Sequence, residues 1–281
     1  VADRALVLGS GGFAGGAWQA GVLAGLAGAG VDLAGADVVI GTSAGAVVGA
    51  GLVAGRLPEE LAETESGPDG PAFAPHVTPG LALRFLWAQF GGPRTPRAVA
   101  RRLGRMALAA RTVPEAETVA AVAGLLPVRD WPDGRLHVTA VDADTGELGV
   151  FRSGGGADLP RAVTASCTLA GLWPPVALGG RRWIDGGVWS AANAHLARGH
   201  DRVVVLAPLT RAFGPGATAG RQADRLRVSG ARVALVTPEA AVRRALVRNP
   251  LDPARRAACA RAGRAQAAAC ARAVAEVWQE G

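Results

Sequence analysis

Lysine and tyrosine are both missing from the 281 residues, methionine occurs once and cysteine three times. Without lysine there is no amine for a Schiff base, no Ser–Lys pair and no Walker-type lysine to hold a nucleotide phosphate. Without tyrosine, phenol-based acid chemistry is excluded. All 30 basic residues are arginines, and beside the many alanines and glycines this reads as GC-rich coding rather than a functional choice. Cys167, Cys259 and Cys270 are odd in number and show no metal-ligand spacing. They read as reduced core thiols of a cytoplasmic protein, and neither a metal nor a cofactor is expected. No apolar run reaches the ~18 residues of a spanning helix. No signal-peptide pattern opens the chain, which begins at Val1.

What the chain does have is a hydrophobic fraction of 49%, enough for one large α/β domain over residues 1–281. Strand-like and helix-like runs alternate, which argues for a mainly parallel central sheet flanked by helices. Residues 4–56 read as strand, helix, strand, helix. Residues 57–134 change character and read as a helical insertion with a mobile loop at Ser66–Pro71, a candidate lid. Within it, Leu83-Arg84-Phe85-Leu86-Trp87 fits a membrane interface or ordinary helix packing, packing being the favoured reading. Arg135–Ala140 and Leu148–Phe151 form a hairpin across Asp144-Thr145-Gly146. Val203–Leu206 and Val233–Val236 are two further buried strands.

Charge is uneven. Residues 1–209 hold 17 arginines against 18 acidic residues, whereas residues 210–281 hold 13 against 5. An alanine-rich helix from Pro253 to about Trp278, capped by Asp252, carries Arg255, Arg256, Arg261, Arg264 and Arg272. These read as a solvated face, with attraction to an anionic membrane surface as the sharper alternative. Nucleic acid is not expected as a partner, because no binding fold accompanies the charge.

Three glycine-bearing motifs carry the chemistry. The run Val38-Val39-Ile40 breaks into Gly41-Thr42-Ser43-Ala44-Gly45 and resumes as a small-residue helix, the form of a nucleophile elbow with Ser43 on the turn. Before it, strand Ala5–Leu8 runs into Gly9-Ser10-Gly11-Gly12-Phe13-Ala14 and a helix, which makes a nest of backbone N–H groups. The nest fits an oxyanion hole built from Gly11, Gly12, Phe13 and Ala44. It also loosely fits a dinucleotide fingerprint, Gly9-x-Gly11-x-x-Ala14 with Asp32 downstream. Later, Trp183-Ile184-Asp185-Gly186-Gly187 ends an apolar run on an aspartate, a residue that alone is most often a turn former.

In this order the motifs resemble the patatin-like phospholipases, serine acyl hydrolases with a Ser–Asp dyad. The resemblance runs through Ala17–Leu23, Thr164–Cys167, Trp173-Pro174-Pro175, Asp185-Gly186-Gly187 and Asn249–Pro253. It implies a three-layer patatin-like sandwich and a lipid ester substrate. It also implies Ser43 as nucleophile and Asp185 as its base, desolvated in part by Trp183 and Ile184. The chain departs from the pattern at Ala14 or Gly15, where a basic residue is usual, at Ala170 in place of proline, and at His195. Two rivals stand beside this reading. One is a Ser–Asp–His triad using His195 or His200 after Asp185, although His76, His137 and His200 read better as surface or structural residues. The other is a catalytically degenerate lipid- or dinucleotide-binding protein. A cytoplasmic location with peripheral membrane contact is the corresponding expectation.

Overall fold

The computed structural model describes residues 3–66, 78–211 and 214–279. The expected loop after Ser66 and His76 lie outside them. In chain order the elements are β1 (Arg4–Leu8), α1 (Gly12–Gly28), β2 (Val38–Thr42), α2 (Ala44–Val53), α3 (Pro58–Ser66), α4 (Pro79–Phe90), α5 (Pro96–Leu108) and α6 (Glu115–Leu125). Then follow β3 (Leu136–Asp142), β4 (Leu148–Phe151), α7 (Leu159–Cys167), β5 (Val176–Leu178), β6 (Arg181–Asp185), β7 (Arg202–Leu206), α8 (Ala219–Val228), β8 (Arg232–Val236), α9 (Ala240–Arg248) and α10 (Arg256–Trp278).

Strands β3, β2, β1, β7 and β8 run parallel, and β1 lies at the centre between β2 and β7. Their sequences are near-continuous Val, Leu and Ile runs because helices cover both faces. Strands β4, β5 and β6 join antiparallel around β3. The helices start where the sequence offers caps. Thr78, Thr95 and Asp158 each accept an N–H three residues on, with proline in the first turn of α4, α5 and α7.

Helix α1 shows no amphipathic stripe because it is buried almost all round, between the sheet and α10. Two close approaches make that possible. A Cβ at Gly21 would overlap the Ala260 carbonyl, and one at Gly263 the Trp18 carbonyl, so the two backbones touch where glycine alone fits. Trp18 is fully buried and donates its ring N–H to Gln266 Oε1 at 3.1 Å, locking the pair in register. Truncating it to alanine would cost about 3–5 kcal/mol.

The region 57–134 is helical, but its parts differ. Helix α3 packs on α1 and α10 within the body, α4 and α5 form a pair over the β3–β6 end of the sheet, and α6 lies on α7. The terminal helix begins as expected at Asp252, whose side chain accepts from the Ala254 N–H, through one 3-10 turn before α10.

Candidate active site

Strand β2 ends at Thr42 and α2 starts at Ala44, which leaves Ser43 alone on the turn. Its φ of 54° and ψ of −123° lie where few residues with a Cβ go, at a cost of roughly 1–3 kcal/mol that the surroundings must hold. Gly45 does part of this, since a Cβ there would overlap the Leu8 carbonyl oxygen of the neighbouring strand. The Ser43 N–H donates to Ser166 Oγ at 2.8 Å, and the Ser43 carbonyl accepts from the Ala46 N–H.

Asp185 arrives from the opposite direction. Strand β3 pairs in parallel with β2 up to Thr42↔Thr139, and its next residue, Ala140, pairs with Asp185. Because β4 occupies the other edge of β3 from Val138 to Val141, β6 fills the edge that β2 vacates. The two strand ends meet, and the Ser43 hydroxyl lies near enough to the Asp185 carboxyl to lower its pKa. Asp185 Oδ1 also accepts the Gly187 N–H at 2.6 Å. Burial pushes the Asp185 pKa up to about 6, and the Gly187 N–H and the nearby Ser43 hydroxyl offset only part of that rise. Ile184, expected to desolvate Asp185, packs instead with α4 and α5 on the other face. Trp183 stacks edge-on against Phe151.

The glycine turn after β1 stands beside this pair. Gly12, Phe13, Ser43 and Ala44 line one cavity of about 90 Å³, while Gly11 packs behind them against Pro208. Among the described residues, the N–H groups of Gly11, Gly12, Phe13 and Ala44 make no hydrogen bond. They are first-turn donors of α1 and α2 and favour negative charge. Gly186 and Gly187 open the 3-10 turn behind Asp185.

Four contributors were not read from the sequence. Asn193, left-handed at φ 52°, is buried with Nδ2 3.1 Å from Thr42 Oγ1, 3.3 Å from Thr139 Oγ1 and 3.2 Å from the Gly186 carbonyl. It ties together the ends of the three strands that carry the pair. Its only sequence signal is a lone amide in the small-residue run Ala191–Ala194. Glu65 and Arg256 both line the cavity, 3.7 Å apart and nearly buried. Arg256 is thus not part of a solvated face. Cys167 is no ordinary core thiol either. It lines the cavity beside Ser43, with its pKa pushed up by burial and by the Asp185 and Glu65 carboxyls.

The three described histidines stand apart from the pair. His195 is exposed and faces Arg225, and its pKa is lowered by partial burial and by that charge. His200 precedes β7 and acts on Asp37, at the N-terminal edge of the strands and a strand's length from Ser43. His137 lies near His200, and burial lowers its pKa. Asp32 likewise lies before β2, at the edge opposite the glycine turn, with its carboxyl on the Ala34 N–H. A dinucleotide held by the turn would not reach it.

The family model for patatin-like phospholipase matches residues 6–198, a span that holds the glycine turn, Ser43 and Asp185. The chain belongs to the patatin-like phospholipase family. No curated protein sequence matches it. Among solved structures it is similar to the type III effector protein ExoU, with 16% identity and a TM-score of 0.46 over 99% of this chain and 53% of that one. It is also similar to VipD from Legionella pneumophila, with 14% identity and a TM-score of 0.40 over 68% of this chain and 47% of that one. The chain spans about half the length of these proteins. No helix among the described residues is long and apolar enough to cross a membrane.

Proposed function

We propose that this patatin-like protein is a serine acyl hydrolase that cleaves lipid esters through an acyl-enzyme on Ser43, with Asp185 as general base. The observation that carries the reading is the meeting of Ser43, on its strained turn, with a buried carboxyl whose pKa is pushed up to about 6. A carboxylate acting on serine without histidine must be more basic than usual, and burial makes this one so. Ser43 attacks the ester carbonyl carbon as its proton passes to Asp185. The oxyanion is received by the unpartnered N–H groups of Gly12, Phe13 and Ala44, donors of a kind whose loss costs about a hundred- to a thousandfold in rate. Collapse expels the alcohol, which takes the proton back from Asp185. Asp185 then deprotonates a water that attacks the acyl carbon and frees the acid and Ser43.

The cavity walls support an acyl chain as the occupant, since Val47, Ala121, Val122 and Leu125 face it. Helix α6 supplies three of these residues, so the helices of 57–134 form part of the substrate's enclosure and are proposed as the lid.

Fluorophosphonate labelling tests the assignment. Labelling is expected on wild type and on His195→Ala and His76→Ala, and is expected to vanish in Ser43→Ala and Asp185→Ala. A histidine variant as silent as Ser43→Ala would restore a triad. A folded wild type left unlabelled with and without added lipid would leave a degenerate binder.

A further inference from the structure

Helix α4 is apolar on both sides, and one side is already satisfied. Phe85 and Ala88 pack against Leu103, Ala170, Ile184 and Val188. The opposite stripe, Leu83, Leu86, Trp87 and Phe90, follows the i, i+3, i+4, i+7 spacing of one helical face. These side chains are 67%, 54%, 61% and 58% exposed. Four large apolar residues side by side on a surface mark a contact site.

The charge around the stripe identifies its partner. Residues 79–111 hold seven arginines and no acidic residue. Arg102 is buried and spent on the carbonyls of Ala88 and Pro93, tying α5 to α4. Arg97 pairs with Glu147. The other five, Arg84, Arg94, Arg101, Arg105 and Arg111, are exposed, and no carboxylate among the described residues pairs with them. Arg94 lies over the Phe90 ring at 4.9 Å, at the margin of the stripe. The terminal helix differs: Arg256, Arg264 and Arg272, and Arg255 in the turn before it, each face a carboxylate of this chain, and Arg261 is the exception among the described residues.

We propose that the outer face of α4, with Arg84 and Arg94 beside it, docks the protein on an anionic lipid bilayer. An exposed apolar stripe edged by unneutralised arginines matches the acyl boundary and anionic head groups of such a surface. The site lies close to where docking would matter. Leu81 of α4 reaches Gly171, in the loop that leads to Trp173 at the cavity wall. The surface does not depend on Ser43 being a nucleophile.

The test uses the Ser43→Ala protein, so that partition is read without turnover, against vesicles of phosphatidylcholine with and without about one-third phosphatidylglycerol. Co-sedimentation is expected with the anionic vesicles and is expected to fall with salt. Arg84→Glu/Arg94→Glu should weaken it at least ~25-fold, since each arginine at an anionic surface is worth about fivefold. Leu86→Ser/Trp87→Ser should weaken it comparably while leaving the thermal melt unchanged. Failure to bind anionic vesicles, or binding unmoved by both double variants, would overturn the proposal. So would a dimer in sedimentation velocity that Leu86→Ser/Trp87→Ser dissolves, because the stripe would then belong to a second copy of the chain.

Discussion

Asp185 and Glu65 are two carboxylic acids buried around the same serine, and both raise the pKa of the Cys167 thiol between them. Their surroundings differ in one respect. Glu65 faces the Arg256 guanidinium, which opposes the rise that burial imposes on its pKa. Among the described residues no cation acts on Asp185, whose rise is opposed by the Gly187 N–H and the nearby Ser43 hydroxyl. The first arrangement fixes a charge pair and joins α3 to α10. The second leaves a carboxyl with a pKa of about 6 near the Ser43 hydroxyl, as the proposed general base requires. Burial beside a counter-ion and burial without one thus move two carboxyls differently.

The comparison breaks most directly in rate. Asp185→Asn should lower kcat/KM for a short-chain ester by about 10²–10⁴-fold, the range for a lost general base. Glu65→Gln should stay within about tenfold of wild type, because its carboxyl hydrogen-bonds neither Ser43 nor the oxyanion donors. Equal losses in the two variants would erase the distinction drawn here.

The next effect concerns stability and falls on the other acid. Arg256→Ala leaves Glu65 buried beside nothing positive and should cost about 3 kcal/mol in denaturant unfolding. Replacing both partners, as Arg256→Met/Glu65→Leu, should recover most of that loss. If the single variant unfolds at the wild-type midpoint, Arg256 is not the counter-ion that holds Glu65.

The smallest effect has the sign that sharpens the contrast. The folded pKa of Asp185 lies above its unfolded value of 3.8. Its contribution is therefore fullest below about pH 4 and is lost as pH rises through about 6. Above that, ionised Asp185 is a burden on the fold. Asp185→Asn should stabilise the protein at pH 8 by on the order of 2 kcal/mol and change little at pH 4. The same ionisation should make wild-type kcat/KM fall tenfold per pH unit below about 6. A variant that is less stable at both pH values would show that the carboxylate is held by more than these two donors.

The sequence makes Ser43, Asp185 and the glycine turn legible because each sits where a strand gives way to glycine, and such breaks are local. The parallel core strands are legible too, from their unbroken apolar runs. What brings the serine and aspartate together is not local. It depends on β3 exchanging a parallel neighbour for an antiparallel one between Thr139 and Ala140, and a short strand such as Arg181–Asp185 carries no mark of its direction. Arg256 reads with Arg255, Arg261, Arg264 and Arg272 as one exposed face for a related reason. In a helix of alanines and arginines, which arginine turns inward is decided by the glycine contact with α1, and small residues occur all round both helices. Asn193 escaped because its role is to satisfy strand ends that assemble only in the folded sheet.

The central strand has a consequence for where the molecule can be cut. The match to the family model ends at residue 198, yet β1, which leads into the glycine turn, takes one of its two neighbours from Arg202–Leu206. A protein shortened to the matched segment would turn the middle of its sheet into an open edge of unpaired peptide groups and strip α1 of the helix that covers it. Such an edge recruits other chains. The stretch that inheritance keeps recognisable is thus shorter than the stretch that must fold together, and a fragment drawn at the family boundary is expected to aggregate rather than to act as a smaller enzyme.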